Sequence, residues 1–476
     1  MASSRLAPLP SQSSEAPRLF GTDGIRGIPG EFPLDRDSVV RLVAATASIL
    51  LRSRPRAANG GPPRALIVRD GRGTGPSLAA ATARGLARAG IKAIDLGILP
   101  TPSLSRLVPR LGGVLGISIS ASHNPARYNG LKFFTADGFK MSQEEEARAE
   151  KEFFPPSRQA AAPRESPRVE RSQWGLKLYR DFLRSSFPAH LDLRGLRLVV
   201  DCANGASSAL APALFKSLGA EVTPIAAHPD GTNINRDCGS VHPERMVRAT
   251  KSARAFAGLS FDGDADRVLI ADETGRLWDG DSLIAFAALE LLERRLLRRA
   301  KVVVTTMSNY ALLRHLEALG ITAIQVPVGD RHVSDALERE NLSLGGESSG
   351  HLVFWDWAKT GDGMLTALQT LAFARARGRP LSSLRPAYVP VPQVILNVPA
   401  PRKPPLDALR RFQTALKRHE AALKGTGRIV ARYSGTEPLL RLMVEGPGAG
   451  RVRTIARALG AVYLNETSEE ADWDEL

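Results

Sequence analysis

Three segments of the chain repeat one order of patterns: a short apolar run, a stretch with helical spacing of apolar residues, a glycine and a second apolar run. These segments cover 65–96, 196–225 and 301–326. The predicted strands are 65–70, 91–96, 196–201, 220–225, 301–305 and 321–326, and the predicted helices are 77–89, 209–218 and 310–319. A glycine is common where a helix ends. Strand–helix–strand units build parallel sheets with helices on both faces. The pattern therefore predicts three similar mixed α/β domains.

The pattern changes beyond the third unit. A strand at 394–398, a helix at 406–423, two strands around 435–438 and a helix at 452–459 predict a smaller α+β domain. A stretch rich in Pro, Ala and charge, 155–171, predicts a linker. We therefore predict domains at 18–154, 172–270, 271–388 and 391–464, with tails at 1–17 and 465–476.

Charge and composition exclude several classes of protein. The net charge is +15, from 64 basic and 49 acidic residues. The basic residues are mostly arginines spread along the chain, without a dense block or interleaved aromatics, which argues against a nucleic-acid partner. No apolar run approaches the ~20 residues of a membrane span, so no membrane partner is predicted. Two cysteines, Cys202 and Cys238, cannot form a disulfide framework, and a cytoplasmic location is predicted.

Three aspartates, Asp262, Asp264 and Asp266, alternate along one short segment. In looped backbone they can converge, and converged carboxylates repel one another unless a cation lies between them. Ligands that are all oxygen select a hard ion such as Mg²⁺ or Ca²⁺. A helix–loop–helix calcium site would use Glu273, but it needs glycine where Arg267 stands. A hard-cation site and a plain Asp/Gly turn remain the two interpretations.

Ser122 lies at the end of a strand-like run, just before an Asn-Pro turn. A serine becomes a nucleophile or phosphate carrier only with help from a base or a metal. His123 adjoins it, but neighbours in a strand point apart, so a Ser–His pair is not implied. Lys132, on the next strand-like run, could return to this corner and act as an acid or base. A hydrogen-bonded turn serine and a surface lysine are the alternatives.

A glycine-framed loop at 344–351 carries Glu347 and Ser349. A carboxylate beside a hydroxyl suits the vicinal hydroxyls of a sugar, since one accepts hydrogen bonds and the other both donates and accepts. His351 closes the loop, and taken alone it is better interpreted as a structural histidine.

A second loop, 432–438, combines a guanidinium, two hydroxyls and a glycine. Arg432, Ser434, Gly435 and Thr436 together offer the charge-assisted and backbone donors of a phosphate cradle. A β-hairpin turn is the alternative interpretation.

In this order the motifs resemble the α-D-phosphohexomutase family over nearly the whole chain, from Arg18 to about Leu464. Segments 233–235, 238–244 and 327–331 resemble most the branch that acts on glucosamine phosphates. Members of that branch commonly have Gln in place of Ser348 and often Gly in place of Ala265. The matching motifs are an opening segment at 18–27, a phosphoserine loop at 120–125, a metal loop at 262–267, a sugar-binding loop at 346–351 and a phosphate-binding loop at 432–438.

The resemblance implies four domains around a central cleft and the interconversion of glucosamine 6-phosphate and glucosamine 1-phosphate through a 1,6-bisphosphate. Its partner is then a hexosamine phosphate, and the chain is a monomer or a homodimer. A mutase acting on a neutral hexose, mannose or glucose, is the nearest alternative.

The resemblance also implies roles for individual residues. Ser122 carries the phosphoryl group and is a ligand, through it, of one Mg²⁺ held by Asp262, Asp264 and Asp266. Lys132 transfers the proton, with His351 as second choice, and Arg26 and Arg267 neutralise charge. The remaining roles are sugar binding by Glu347 and Ser349 and phosphate binding by Arg432, Ser434, Gly435 and Thr436.

Overall fold

The structure, a computed structural model, describes residues 18–21, 23–52, 62–154, 169–172, 174–434 and 438–469. Within these ranges the chain forms four β-sheets, each flanked by helices. None of the helices in them is both long and apolar enough to cross a bilayer. The predicted fold class, three mixed α/β domains and a smaller α+β domain, is confirmed.

The first sheet has six strands: β1 (Ile25–Gly27), β2 (Arg64–Arg69), β3 (Lys92–Ile98), β4 (Leu115–Ile119), β5 (Asn129–Thr135) and β6 (Glu170–Arg171). Their order across the sheet is β1-β5-β4-β2-β3-β6. The central strands β4, β2 and β3 run parallel, and β5 runs antiparallel to β4. The helices of this domain are α1 (Arg36–Arg52), α2 (Gly75–Arg88), α3 (Ser103–Arg110) and α4 (Gln143–Phe153).

The second sheet consists of β7 (Arg197–Asp201), β8 (Glu221–Ile225), β9 (Ala257–Phe261), β10 (Val268–Asp272) and β11 (Leu277–Trp278). Strand β7 lies between β8 and β9 and runs parallel to both, whereas β10 runs antiparallel to β9 and to β11. Three helices belong to this part of the chain: α5 (Trp174–Ser186), α6 (Leu210–Ser217) and α7 (Glu244–Ser252).

The third sheet consists of β12 (Lys301–Thr305), β13 (Thr322–Val326), β14 (Leu344–Gly346) and β15 (Leu352–Phe354), in the order β13-β12-β14-β15. Its α-helices are α8 (Gly280–Glu293), α9 (Tyr310–Ala318), α10 (Asp330–Glu340), α11 (Gly363–Arg377) and α12 (Leu381–Leu384), and a short 3₁₀ helix spans Arg298–Ala300. The fourth sheet is antiparallel and contains β16 (Gln393–Pro399), β17 (Arg428–Tyr433) and β18 (Leu439–Glu445), covered by α13 (Arg410–Leu423) and α14 (Ala449–Glu469).

One continuous hydrophobic core joins the first three domains, and the fourth domain has a core of its own. The side chains of strand β2 pack alternately into two different cores. Its alternate residues Leu66 and Val68 join the shared core, whereas Ala65 and Ile67 pack into a separate core of the first domain. Side chains alternate across a strand, so a strand buried on both faces needs apolar residues at every position.

The same hairpin recurs in every sheet. In each of the first three, a strand parallel to its neighbour is followed by an antiparallel one: β4 by β5, β9 by β10 and β14 by β15. In the fourth sheet, β17 and β18 form the corresponding hairpin. The segments that join these strands contain the four motifs singled out in the sequence. The repeated topology therefore places each motif at the equivalent end of its own sheet.

Two of the predicted boundaries fall inside secondary-structure elements. The boundary at 270 falls inside β10, whose pairing with β11 extends the second sheet to Trp278. The C-terminal tail predicted from 465 begins as helix, because α14 continues to Glu469 and the Glu466 carboxylate accepts the N–H groups of Arg411 and Phe412 at the start of α13. The four-domain division stays a proposal.

The other connecting segments are only partly described. Of the predicted linker at 155–171, residues 155–168 lie outside the described residues, and β6, at its end, pairs with β3 in the first sheet. The tail at 1–17 also lies outside the described residues.

Candidate active site

Two of the hairpin loops meet at Ser122. The Ser122 hydroxyl, which is fully buried, donates to Asp262 Oδ2 at 2.6 Å, and these residues lie 140 positions apart. A second contact joins the same two domains, since the Thr101 hydroxyl donates to Asp264 Oδ2 at 2.7 Å. The structure thus brings together the serine and the aspartates that were predicted to act together.

The three aspartates converge as predicted. Asp262, Asp264 and Asp266 are buried, and one carboxylate oxygen of each lies within 4.8 Å of the others. Burial raises the pKa of Asp262 well above its usual range, and repulsion from Asp266 and Asp264 raises it further. Asp264 Oδ1 and Asp266 Oδ1 are buried without a hydrogen-bond partner among the described residues. Crowded carboxylates with unused buried oxygens fit a hard divalent cation such as Mg²⁺.

Backbone geometry explains why the metal loop can approach the serine so closely. At Gly263, a Cβ would lie 2.6 Å from the Ser122 carbonyl oxygen, so no larger residue fits without movement. Ala265 has φ 58°, in the left-handed region that costs an L-residue about 1–2 kcal/mol. A glycine at this position would avoid that cost, so the side chain of Ala265 strains the backbone of the metal loop.

Lys132 lies in the site but holds its proton. Its buried Nζ is 2.7 Å from Asp23 Oδ2 and 2.8 Å from Asp264 Oδ2. Burial alone would lower the pKa of Lys132, but Asp23, Asp264 and Asp266 together raise it well above its usual value. These contacts favour the protonated form of Lys132, and its role in proton transfer stays a prediction.

His351 is also engaged in the structure. Its Nε2 accepts the Gly361 N–H at 3.0 Å, and its Nδ1 faces Asp266 Oδ2 at 3.8 Å. Burial opposes the charged ring, but Asp266 and Asp330 outweigh it and raise the pKa of His351. A ring nitrogen that accepts a backbone N–H is not available to a substrate, so the geometry favours a structural role.

His123 is the titratable group that the sequence interpretation set aside. Its Nδ1 lies 3.3 Å from Ser122 Oγ and 3.4 Å from Arg267 Nη1. Burial, with the neighbouring Arg267 and Arg26, lowers the pKa of His123 to about 4. Since Ser122 has φ 51°, the chain turns here instead of continuing as a strand, and the two side chains face the same space.

Arg26 and Arg267 border this cluster from two domains. The Arg26 guanidinium pairs with Asp23 at 2.8 Å and donates to Asn124 Oδ1 at 3.3 Å, which ties the opening segment to the serine loop. Arg267 follows the last aspartate, and its Nε lies 3.8 Å from Asp266 Oδ1. Asp23 connects Lys132 to Arg26 and was not predicted as a site residue, although it lies within the opening motif.

The predicted sugar-binding loop packs beside the metal loop. Buried Glu347 accepts the Gly329 N–H at 3.0 Å, and its charge raises the pKa of Arg267 together with the aspartates. Ser349 Oγ is buried and has no hydrogen-bond partner among the described residues. A carboxylate and an unused hydroxyl side by side suit a polyhydroxylated ligand.

Two of the four predicted phosphate-binding residues, Arg432 and Ser434, lie at the hairpin of the fourth domain. Arg432 on β17 stands directly opposite Arg441 on β18. Burial lowers the pKa of Arg432, and the neighbouring Arg441 lowers it further. Ser434 is buried beside them, whereas Gly435 and Thr436 lie outside the described residues. Paired like charges of this kind are stabilised by an anion between them.

Models of four protein domains match the chain in sequence order. They are described as phosphoglucomutase/phosphomannomutase alpha/beta/alpha domain I at residues 17–159, domain II at 177–275, domain III at 279–390 and the C-terminal domain at 395–461. Together they cover most of the 476 residues.

Curated relatives and solved structures agree with these matches. A phosphoglucosamine mutase of Citrifermentans bemidjiense is 39% identical over 95% of this chain and 99% of its own, and one of Alkalilimnicola ehrlichii is 43% identical over 93% and 96%. A phosphoglucomutase/phosphomannomutase family protein of Burkholderia thailandensis has a similar structure, with a TM-score of 0.77, 26% identity and coverage of 94% and 97%. Aspergillus fumigatus N-acetylphosphoglucosamine mutase, solved with GlcNAc-6P and magnesium, shares the fold at a TM-score of 0.64 and 18% identity, with coverage of 94% and 96%. The chain belongs to the phosphoglucomutase/phosphomannomutase family.

Proposed function

We propose that this chain, a phosphohexomutase and hence an isomerase, interconverts glucosamine 6-phosphate and glucosamine 1-phosphate through a phosphoserine at Ser122. The observation that carries the proposal is the 2.6 Å contact between Ser122 Oγ and Asp262 inside a buried cluster of three carboxylates. Relatives named phosphoglucosamine mutase, at 39% to 43% identity over nearly the whole chain, support the choice of sugar.

Charge neutralisation is the main requirement of phosphoryl transfer. Lys132, Arg26 and Arg267 surround the serine with positive charge and can bind the oxygens of the transferring group. When bound by Asp262, Asp264 and Asp266, one Mg²⁺ would supply further neutralisation of that group. The same ion would also offset the repulsion among the three buried carboxylates.

The reaction needs two transfers of opposite direction. In the first, the bond between phosphorus and Ser122 Oγ breaks, and a bond to the free sugar hydroxyl forms, which gives a 1,6-bisphosphate. The bisphosphate then turns over in the site, and its other phosphoryl group passes back to Ser122 Oγ. Each transfer to the sugar releases the hydroxyl proton, and each return delivers one.

His123 is the residue that we assign to this proton. With a pKa of about 4 its ring is neutral near pH 7, and its Nδ1 lies 3.3 Å from Ser122 Oγ. A neutral imidazole can accept a proton from the attacking hydroxyl, and Lys132, the residue predicted for this step, stays the alternative. With His123 in this role, Lys132 serves as a cation at the transferring group.

The remaining residues would hold the substrate in either orientation. Glu347 and Ser349 offer an acceptor and a hydroxyl to the sugar. Arg432 and Ser434, with Gly435 and Thr436 in the same loop, would bind the phosphate that is not being transferred. The opposed pair of Arg432 and Arg441 supports an anion at this hairpin.

The location of the phosphate tests the proposal directly. Intact-mass and peptide spectra of the purified protein should place one phosphate on Ser122, and Ser122→Ala should have no mutase activity. Ser118→Ala, in the strand that precedes the loop, is the control for the substitution itself. Full turnover of Ser122→Ala would contradict the mechanism.

The choice of sugar is tested by comparing substrates. We expect kcat/KM for glucosamine 6-phosphate to exceed that for glucose 6-phosphate and mannose 6-phosphate at least tenfold, which corresponds to about 1.4 kcal/mol. Ser348 stands where the resemblance leads us to expect Gln, and its short side chain is the feature that favours the alternative of a neutral hexose. Equal rates, or a preference for mannose, would assign the chain to that alternative.

The cellular setting stays a prediction. It rests on the two cysteines, Cys202 and Cys238, which are too few for a disulfide framework. The predicted state of monomer or homodimer would be measured by light scattering of the purified chain.

A further inference from the structure

The backbone of Ser122 is held in an unusual conformation. Its φ of 51° lies in the left-handed region, which serine rarely adopts. Strained residues persist where the surroundings determine them, and they occur often at functional sites. The groups that bind the carbonyl and the amide of Ser122 hold this conformation, and they therefore fix the direction of its hydroxyl.

Arg72, which follows β2, binds the carbonyl side of the serine loop. Its guanidinium is completely buried and pairs through Nε with Asp70 at 2.9 Å. Its remaining four donors reach four backbone carbonyls of the loop, those of Ser122 at 3.0 Å, Asn124 at 2.7 Å, Pro125 at 2.6 Å and Tyr128 at 2.7 Å. All five N–H donors of the side chain are thus used on one ion pair and one loop.

The partner of Arg72 binds the amide side. The Ser120 hydroxyl donates to Asp70 Oδ2 at 2.6 Å and accepts the Ser122 N–H at 2.9 Å. One buried ion pair therefore controls both backbone groups of Ser122, the carbonyl directly through Arg72 and the amide through Asp70 and Ser120.

A residue of the second domain also donates a hydrogen bond to the Ser122 carbonyl. Asn235, in the segment between β8 and α7, donates from Nδ2 to the Ser122 carbonyl at 2.8 Å and to the Asn124 carbonyl at 3.1 Å. Backbone contacts support this arrangement, since the Gly73 N–H donates to the Gly231 carbonyl at 2.8 Å. The serine loop is thus bound from both sides of the boundary between the domains.

We propose that Arg72 and Asn235 are positioning residues that clamp Ser122 from two domains and so direct its hydroxyl toward Asp262. The proposal rests on the assignment of Ser122 as the phosphoryl carrier. Neither side chain needs to touch the substrate, so their removal should slow phosphoryl transfer without weakening the binding of the sugar phosphate.

Lysine keeps the charge at position 72 but offers three donors from one atom in place of a planar fork. In Arg72→Lys, we expect kcat to fall at least tenfold while KM for glucosamine 6-phosphate stays within threefold. Amide hydrogen exchange in residues 120–128 should become at least tenfold faster. This second measurement needs no substrate, so it tests the clamp even if the chain does not act on glucosamine phosphates.

Arg69→Lys is the matched control. Arg69 ends the same strand and pairs with Asp95 at 2.9 Å, away from the serine loop, so we expect less than a twofold change in kcat and in the exchange of 120–128. Asn235→Gly is the second test, because glycine accepts the φ of 58° at this position while the side-chain donor is lost. We expect it to accelerate exchange in the same segment and to lower kcat severalfold. If Arg72→Lys does not fold, the Asn235→Gly variant alone tests the clamp.

Two results would overturn the clamp. One is unchanged exchange in residues 120–128 in whichever of the two variants folds. The other is a kcat within twofold of the parent in that variant, when the parent enzyme is active. Absence of mutase activity in the parent would instead contradict the proposed function, and the exchange rates alone would then decide on the clamp.

Discussion

A single methyl group at Gly263 should separate the two loops of the active site. Gly263 lies in the metal loop, against the backbone of the serine loop. A Cβ at this position would lie 2.6 Å from the Ser122 carbonyl oxygen, 2.9 Å from Ile234 Cδ1 and 3.0 Å from Asn235 Nδ2. The Ile234 side chain can move, but the Ser122 carbonyl is held by Arg72 and Asn235. The strain in Gly263→Ala therefore falls on the distance between the two loops.

The size of the effect follows from the contact distances. Ordinary contacts of a Cβ begin at 3.4 Å, so the loops must move apart by about 0.8 Å, the difference between 3.4 and 2.6. Overpacking of this kind costs about 1–3 kcal/mol of unfolding free energy. A displacement of ~1 Å between reacting groups costs about a hundredfold in rate. We therefore expect kcat of Gly263→Ala to fall roughly 10- to 100-fold.

The assay combines steady-state turnover of glucosamine 6-phosphate with thermal unfolding. Gly450→Ala is the control, because a Cβ at this position of α14 has nothing within 4 Å. Alanine is the better helix former, so this variant should keep its activity and unfold at the same or a slightly higher temperature. A Gly263→Ala enzyme with kcat within twofold of the parent would refute the close approach of the two loops.

Three further predictions test charge and burial. Asp264→Asn should fold normally but bind Mg²⁺ at least tenfold more weakly by calorimetry, because it loses one of three ligand charges; equal affinity would mean that the aspartates form only a turn. The pKa of His123, lowered to about 4 by burial and neighbouring arginines, should appear as an imidazole NMR signal that titrates near pH 4 and is missing in His123→Gln, and a midpoint near 6.5 would contradict this. Glu146→Gln leaves buried Arg331 without its carboxylate and should cost about 3 kcal/mol of unfolding free energy in denaturant. The control is Glu144→Gln, which removes the carboxylate of an exposed ion pair with Arg148 and should cost under about 0.5 kcal/mol of unfolding free energy. Equal losses in the two variants would show that the burial of Glu146 contributes nothing.

The sequence alone was sufficient for the three repeated strand–helix–strand units. Apolar runs and helical spacings predicted their six strands and three helices to within a few residues, since each depends on neighbours one to four positions apart. The motif at 262–267 was expected as a ligand loop, and it is the turn between β9 and β10. The predicted boundary at 270 falls inside β10, because the pairing of β10 with β11 depends on backbone hydrogen bonds that no side-chain pattern records.

Only the tertiary structure decided which groups can do the chemistry. Lys132 was predicted to transfer the proton, and the structure pairs it with carboxylates of two domains that raise its pKa, although Asp23 and Asp264 lie more than 100 positions away from it. His123 was set aside as a strand neighbour, yet the left-handed turn at Ser122 brings it into the site. Charges interact through space and burial depends on the whole fold, so protonation states follow from residues that are distant in sequence. The sequence identified the motifs that contain the titratable residues, and the packing of the first two domains determined which of these residues meet and in what charge environment.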